Sequence, residues 1–147
     1  MEKTQQKDYL GAIEEFNQAL LIRPDSIDTF IARGVARLKC GDTRGAIADY
    51  ERAIQLDPNS SKAYFNRGNV YRKISDNRKA LSEYNQAIKI EPNYAAAHYN
   101  RGRTHHSLGN RQAAIEDIEK AIDLFFSQRD IINYESAIDV LNNIKKH

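Results

Sequence analysis

Apolar residues recur along the chain at steps of three and four, which is the spacing of one face of an α-helix. In the first such stretch the apolar positions are Tyr9, Ile13, Phe16 and Leu20. Similar stripes follow, separated by short segments that contain Gly, Asn, Asp or Pro. The pattern predicts helices over residues 8–22, 27–40, 42–56, 61–74, 78–90, 95–108, 111–124 and 130–144.

Residues that cap or stop helices mark the predicted boundaries. Asp8 and Asp42 are predicted N-caps, because a carboxylate can accept a hydrogen bond from a free amide at a helix start. Gly41 is a predicted left-handed stop. Pro24 and Pro58 end helices because proline has no N–H to donate. The residues before Asp8 are too few to form a partner helix, so we expect the chain to open on half of a helix pair.

A period of 34 residues relates the helices to one another. Gly34, Gly68 and Gly102 recur inside alternate helices, although Gly in a helix costs about 1 kcal/mol relative to Ala. We therefore expect these glycines to lie where two helices approach closely. Two rows of alanine recur on the intervening helices, namely Ala12, Ala46, Ala80 and Ala114, and Ala19, Ala53, Ala87 and Ala121.

This order of small, aromatic and proline residues resembles the tetratricopeptide repeat. The third copy carries the pattern in Tyr64, Gly68, Tyr71, Ala80, Tyr84, Ala87 and Pro92. The other copies depart from it at Arg37, His105, Ile118 and Phe126. The resemblance implies an all-α fold, an α-solenoid of about eight helices in which antiparallel helix pairs form a right-handed superhelix. We expect one domain over residues 1–147, composed of a half repeat (8–26), three repeats (27–60, 61–94 and 95–128) and a C-terminal capping helix (129–147).

Composition adds few constraints on the environment of the protein. The net charge is +2, which provides no strong attraction to nucleic acid or to a membrane surface. No apolar run reaches the length of a spanning helix, and the polar N-terminus lacks the apolar core of a signal peptide. Cys40 is alone, so no internal disulfide can form. We expect a soluble cytoplasmic protein.

For function, the resemblance implies a module that binds a peptide or helix of a partner protein in a concave groove. The first helix of each repeat lines that groove, with Ile31 in its apolar part. Phe65 and Tyr99 are the expected anchors, amides suit a peptide backbone, and cationic side chains suit acidic groups. The predicted peptide-binding residues are Lys62, Phe65, Asn66, Asn69, Arg72, Tyr99, Asn100 and Arg103.

Some family members clamp the C-terminal carboxylate of a chaperone with two Lys, two Asn and one Arg. Asn69 and Asn100 match the two amide positions, whereas Phe65, Asp130 and Tyr134 replace the three cationic ones. Amides alone hold a carboxylate less well than charged donors, so a general peptide groove is favoured. Three alternatives stay open: polar residues that merely solvate the surface, a self-assembling structural module, and a fragment of a larger multidomain protein.

A second periodic feature pairs two rows of opposite charge. Arg33, Arg67 and Arg101 precede the three glycines, and acidic residues recur with the same period. We favour ion pairs between neighbouring helices over an arginine row that binds an anionic ligand. The acidic row is Glu15, Asp49, Glu83 and Asp117.

The sequence contains no convincing catalytic, metal or nucleic-acid site. His98 and His105 are separated by about 10 Å along a helix axis, His106 does not close that gap, and Cys40 has no histidine in register. Acidic and small residues such as Asp28 interrupt any basic, base-reading face. We expect no enzyme activity, no cofactor, no metal and no nucleic-acid partner.

The first helix has apolar residues that no preceding helix covers. Terminal units of a solenoid need polar outer faces, yet Tyr9, Leu10, Ile13 and Phe16 lie on this one. We therefore expect self-association into a homo-oligomer through the N-terminal helix.

Overall fold

A computed structural model describes residues 3–146, which form helices and short turns with no β-strand in that range. The all-α fold class is therefore confirmed. The eight helices are α1 (Lys3–Ile22), α2 (Ile27–Lys39), α3 (Thr43–Leu56), α4 (Ser61–Lys73), α5 (Asn77–Ile90), α6 (Ala95–Ser107), α7 (Arg111–Ser127) and α8 (Ile131–Lys146).

Contacts divide the chain into two compact units, with the division after Val70. In the first unit, α2 packs against both α1 and α3. The buried core of this unit comes from α2, α3 and the first part of α4, and contains Ile31, Ala46, Tyr50, Ala53, Ala63 and Val70. The organisation of residues 1–147 as a single domain stays a prediction.

In the second unit, α6 packs against α5 and α7, and α7 packs against α8. Its core is closed at the C-terminal side by Ala137 and Ile144 of α8, which are almost completely buried. The buried residues of this core cluster are Ala95, Ala114, Ile115, Ile118, Ala121, Phe125, Ala137 and Ile144. The alanines of both rows in α3, α5 and α7 are fully buried, so they are packing positions in these helices.

The glycines inside helices occupy close approaches. A Cβ atom on Gly34 would lie 2.6 Å from Cε1 of Tyr50, and one on Gly102 would lie 2.8 Å from Cδ1 of Ile118. Real Cβ atoms do not approach other atoms so closely, so a side chain at either position would force the facing side chain or the helices to shift. The predicted role of Gly34 and Gly102 is confirmed.

The turns use the expected chemistry. Gly41 has a left-handed φ of 85°, and Oδ1 of Asp42 accepts a hydrogen bond from the Gly45 amide at 2.9 Å. Ser75 takes the same left-handed position before α5 with a φ of 64°. Left-handed backbone is unfavourable for residues with a side chain, so Ser75 is a point of local strain.

Two predicted boundaries are wrong. Helix α1 begins at Lys3, so Asp8 lies inside the helix and is not an N-cap. The residues that precede Asp8 are mostly Lys and Gln, which are good helix formers. Helix α7 continues to Ser127 because Phe126 stands where the other copies have a proline.

Candidate protein-binding surface

In the first unit, an arginine connects three consecutive helices. Arg33 of α2 binds both carboxylate oxygens of Asp49 on α3, at 3.0 Å from Nε and 2.7 Å from Nη2. Its third nitrogen donates to Oδ1 of Asn17 on α1 at 2.9 Å. Arg37 adds a further contact of 3.1 Å to Asp49, whose side chain is only 3% exposed. This arrangement links the three helices and engages all three guanidinium nitrogens of Arg33 in contacts within the protein.

The second unit repeats this arrangement. Arg101 of α6 binds both oxygens of Asp117 on α7 at 2.7 Å and donates to Asn85 of α5 at 3.0 Å. His98 approaches Asp117 at 3.3 Å and His105 at 3.9 Å. Burial alone would raise the pKa of Asp117, but hydrogen bonds from His98 and Arg101 and their charges outweigh it and lower the pKa.

The predicted interhelical ion pairs are thus confirmed for Arg33 and Arg101. Arg67, the middle member of the row, lies over the Tyr64 ring with 5.7 Å between its guanidinium carbon and the ring centroid. Sequence reasoning missed the asparagines that complete each arginine's coordination. Asn17 and Asn85 are separated by twice the repeat period, which is the signal that could have identified them.

His98 is buried and is only 7% exposed. Its other ring nitrogen lies 2.8 Å from the Pro92 carbonyl oxygen. Both contacts of the ring are with acceptors, so both are hydrogen bonds only when both ring nitrogens carry protons. Within residues 3–146, no group of three His, Cys, Asp or Glu side chains could hold a metal ion.

Four of the eight predicted peptide-binding residues lie on α4 in the first unit. Lys62 is exposed, and Phe65, Asn66 and Asn69 are half-buried. The Asn66 amide donates to the Lys62 carbonyl at 2.8 Å, so one of its donors is used within the helix. Ile31, predicted in the apolar part of the groove, is only 3% exposed and belongs to the core. The prediction for Ile31 was wrong because α1 and α3 both pack against α2 and leave this side chain buried.

The other four lie in the second unit, where two of them contact the same tyrosine. Arg72 and Asn100 make hydrogen-bonding contacts with the Tyr84 hydroxyl, and the charge of Arg103 also acts on it. Burial raises the pKa of Tyr84 to about 12, although these donors and cations oppose the shift. Sequence reasoning used Tyr84 only as part of the repeat pattern and missed the contacts of its hydroxyl group.

Tyr99 lies on the same helix as Asn100 and Arg103. Its ring packs edge-on against Phe125 with the ring centroids 6.1 Å apart, and Arg103 lies over it with its guanidinium carbon 5.4 Å from the centroid. A cation over an aromatic face is held by the ring's negative potential. Tyr99 and Arg103 therefore form one surface element with an apolar and a cationic part.

An apolar hollow of about 620 Å³ lies where α7 meets α8, and sequence reasoning missed it. Phe126 and Tyr134 line it with their ring centroids 5.6 Å apart. Phe126 is 69% exposed and Ile131 is 66% exposed. The sequence feature that could have indicated this hollow is Phe126, an aromatic residue at the position where the other copies have a proline.

Comparison with known proteins agrees with this geometry. A family profile described as "TPR repeat" matches residues 36–75 and 68–109, and one described as "Tetratricopeptide repeat" matches residues 95–127. The chain belongs to the tetratricopeptide repeat family. No curated protein matches it.

Solved structures extend the likeness to nearly the whole chain. The structure titled "Crystal structure of MamA protein" is 26% identical, covers 98% of this chain and 77% of its own, and has a TM-score of 0.73. A structure titled "Crystal structure of MamA" is 23% identical, covers 98% of this chain and 91% of its own, and has a TM-score of 0.70. The expected α-solenoid class is therefore confirmed.

Membership of this family supports a general role as a protein-interaction scaffold, a role that is typically non-catalytic. None of the helices within residues 3–146 combines the length and apolar character needed to cross a membrane.

Proposed function

We propose that this tetratricopeptide repeat protein is an adaptor that binds a peptide or helix of a partner protein through its first-helix surfaces. The observation that carries the proposal is the grouping of Arg72, Tyr99, Asn100 and Arg103 in the second unit. These residues combine an apolar ring with amide and guanidinium donors. Backbone carbonyls and acidic side chains of a peptide are the matching acceptors.

The surface of α4 in the first unit contributes the remaining predicted residues. Phe65 supplies the apolar anchor, and Lys62, Asn66 and Asn69 supply polar groups along one side of the helix. A small set of well-placed anchors dominates the energy of most interfaces. The proposal therefore assigns affinity to Phe65 and Tyr99, and orientation to the polar residues.

Affinity capture with a three-site variant tests this function. We expect alanine substitution of Asn66, Asn100 and Arg103 together to abolish capture of the partner, identified by mass spectrometry. A matched variant replaces exposed residues on second helices, Arg52, Lys89 and Lys120. Equal capture by the wild type and both variants would contradict binding through the first helices.

Self-assembly is a second candidate, favoured by the exposure of α1. Leu10 is 53% exposed, Leu21 76% and Ile22 82%. We propose that the N-terminal helix contacts another copy through these side chains. Light scattering at increasing concentration should show oligomers that Leu10→Glu disperses, whereas the three-site variant should still associate. A monomer at every concentration excludes this candidate and leaves peptide binding unaffected.

A further inference from the structure

Helix α8 exposes apolar residues at positions that are buried in α6. Ile131 is 66% exposed, whereas Ala97, which lies 34 residues earlier, is completely buried. Ile132 is 79% exposed, whereas its counterpart His98 is 7% exposed and contacts Asp117 of the following helix α7. No helix follows α8 within the described residues to cover the same side. We call this side the open face of α8 and define it by Ile131, Ile132, Glu135, Ser136 and Asp139.

Within the described residues the chain does not turn back over the open face. Gly41, Ser75 and Gly109 adopt left-handed backbone after α2, α4 and α6, and a second helix follows each of them. Asn143 lies at the same position of the 34-residue period, but α8 continues through it to Lys146. The open face is therefore a helix-packing surface without the second helix that the repeats place there.

The apolar hollow between α7 and α8 adjoins the open face. Ile131 and Glu135 of that face line the hollow of about 620 Å³ together with Phe126, which is 69% exposed. Arg129 and Asp130 also line it, and their opposite charges offset each other. The uncovered apolar surface thus continues from α8 onto the end of α7, and extended exposed apolar surface is typical of an interaction site.

Two carboxylates on the open face take the places of two arginines. In the first unit, Arg33 and Arg37 both bind Asp49 of the following helix, at 2.7 Å and 3.1 Å. Glu135 and Asp139 lie three repeat periods after these arginines, and both are exposed. Neither takes part in a salt bridge within the described residues. Residues four apart share a helix face, so both carboxylates can bind one cation at the Asp49 position of a docked helix.

The residue after that cation is restricted in size. A Cβ atom on Gly102 would lie 2.8 Å from Cδ1 of Ile118 on the following helix. Ser136 stands at the Gly102 position of the period and already carries a Cβ atom. A helix that docks on α8 in the register of α7 on α6 therefore needs Ala or Gly at the Ile118 position.

The N-terminal helix of a second copy does not match the open face. Glu15 of α1 lies one period before Asp49, so it occupies the same position on its helix. In the same register, Glu15 of a second copy would meet Glu135 and Asp139, and like charges repel each other. The open face therefore favours a helix of opposite charge over the α1 helix of another copy.

We propose that the open face of α8 binds an amphipathic helix of a partner protein that carries Arg or Lys opposite Glu135 and Asp139. A small residue follows the cation and packs against Ser136, and apolar side chains of the helix cover Ile132 and the hollow at Phe126. This surface is separate from the peptide-binding surface proposed on α4 and α6, and it does not depend on that proposal. The protein then has two surfaces that bind different ligands.

Two helical peptides that differ at one position test the charge preference. Both have the sequence of residues 111–127 with Ile118→Ala and a hydrocarbon staple that holds the helix, which short peptides do not hold alone. One peptide also carries Asp117→Arg. In an NMR titration of the whole protein, this Arg peptide should shift the α8 amide resonances saturably, and the Asp117 peptide should bind about 10-fold more weakly. Equal affinities, or no binding of either peptide, would overturn the proposal.

Substitutions in the protein test the two carboxylates. Glu135→Gln combined with Asp139→Asn should weaken the Arg peptide by about 3- to 30-fold, because two exposed ion pairs are lost. Glu14→Gln combined with Glu51→Gln removes two exposed charges from the first unit and should leave the affinity unchanged. All four side chains are exposed, so the variants should fold. Equal affinity of both double variants would contradict recognition by the open face.

Two further measurements identify the occupant and the surface. Sedimentation of the wild type and Ile132→Ser should show the same oligomeric state. An oligomer that Ile132→Ser disperses would assign a second copy to the open face and overturn the partner helix. Alanine substitution of Asn66, Asn100 and Arg103 together should leave binding of the Arg peptide unchanged. Loss of binding in that variant would assign the peptide to the first-helix surface and contradict the open face.

Discussion

Asp117→Asn tests whether the buried ion pair between α6 and α7 holds the second unit together. The Asp117 side chain is 8% exposed and meets Arg101 through two contacts of 2.7 Å. The substitution removes the negative charge and leaves the half-buried guanidinium of Arg101 partly uncompensated. Asparagine preserves the size of the side chain, so the effect reports on charge and not on a cavity.

The expected magnitude follows from the burial of the two partners. Removing one member of a buried pair costs about 3–5 kcal/mol, whereas an exposed pair contributes about 0–1 kcal/mol. Arg101 is 22% exposed and keeps its hydrogen bond to Asn85. We therefore expect a loss near the lower end, about 3 kcal/mol in the free energy of unfolding.

Urea denaturation followed by circular dichroism measures this loss, with Asp123→Asn on the exposed side of α7 as the matched control. The pKa of Asp117 in the folded state lies below its ordinary value of 3.8. Its stabilisation is therefore fully present above that value and is lost as the pH falls through the folded pKa. The wild type and Asp117→Asn should differ above pH ~5 and converge in strong acid. A loss below ~1 kcal/mol, or one equal to that of Asp123→Asn, would refute a buried pair.

Four further substitutions test the packing and the turns by the same denaturation assay. Gly34→Ala should destabilise the protein by about 1–3 kcal/mol because the new Cβ atom meets the Tyr50 ring. Gly11→Ala should stabilise it by about 0.5–1 kcal/mol because the space around Gly11 is open. Changes of the same sign in both variants would contradict the close approach at Gly34. Ser75→Gly should stabilise by less than ~1 kcal/mol because it relieves a left-handed side chain, and a loss would show that the serine side chain is needed. Asp42→Ala should cost about 1 kcal/mol through the lost cap, and no change would mean that water replaces the carboxylate.

The sequence predicted most of the fold because the signals for helices and turns are local. The apolar stripes and the stops at Gly41 and Pro58 placed most boundaries within two residues. The start of α1 was missed because Asp8 resembles a cap even when good helix formers precede it. The end of α7 was missed because Phe126 gives no stop signal, and the helix continues until Ser127.

The candidate site was predicted only in part because its geometry depends on tertiary contacts. Helical spacing selected Arg72, Asn100 and Arg103, but it could not show that they meet around Tyr84. The 34-residue period predicted that Arg33 and Arg101 pair with acidic residues of the neighbouring helix. It could not show how deeply these side chains are buried, and burial determines how much each ion pair contributes to stability. Spacing indicated that His98 and His105 are too far apart to bind one metal ion, but it could not show that both approach Asp117 on the facing helix.

Photocrosslinking at Tyr99 tests the central claim, that a partner protein binds the first-helix surface. A benzophenone amino acid replaces Tyr99 in one variant and exposed Lys89, on the second helix α5, in another. Upon irradiation with the captured partner, position 99 should give the crosslinked product and position 89 should not. A crosslink at position 89 with none at position 99 would contradict the assignment of binding to this surface.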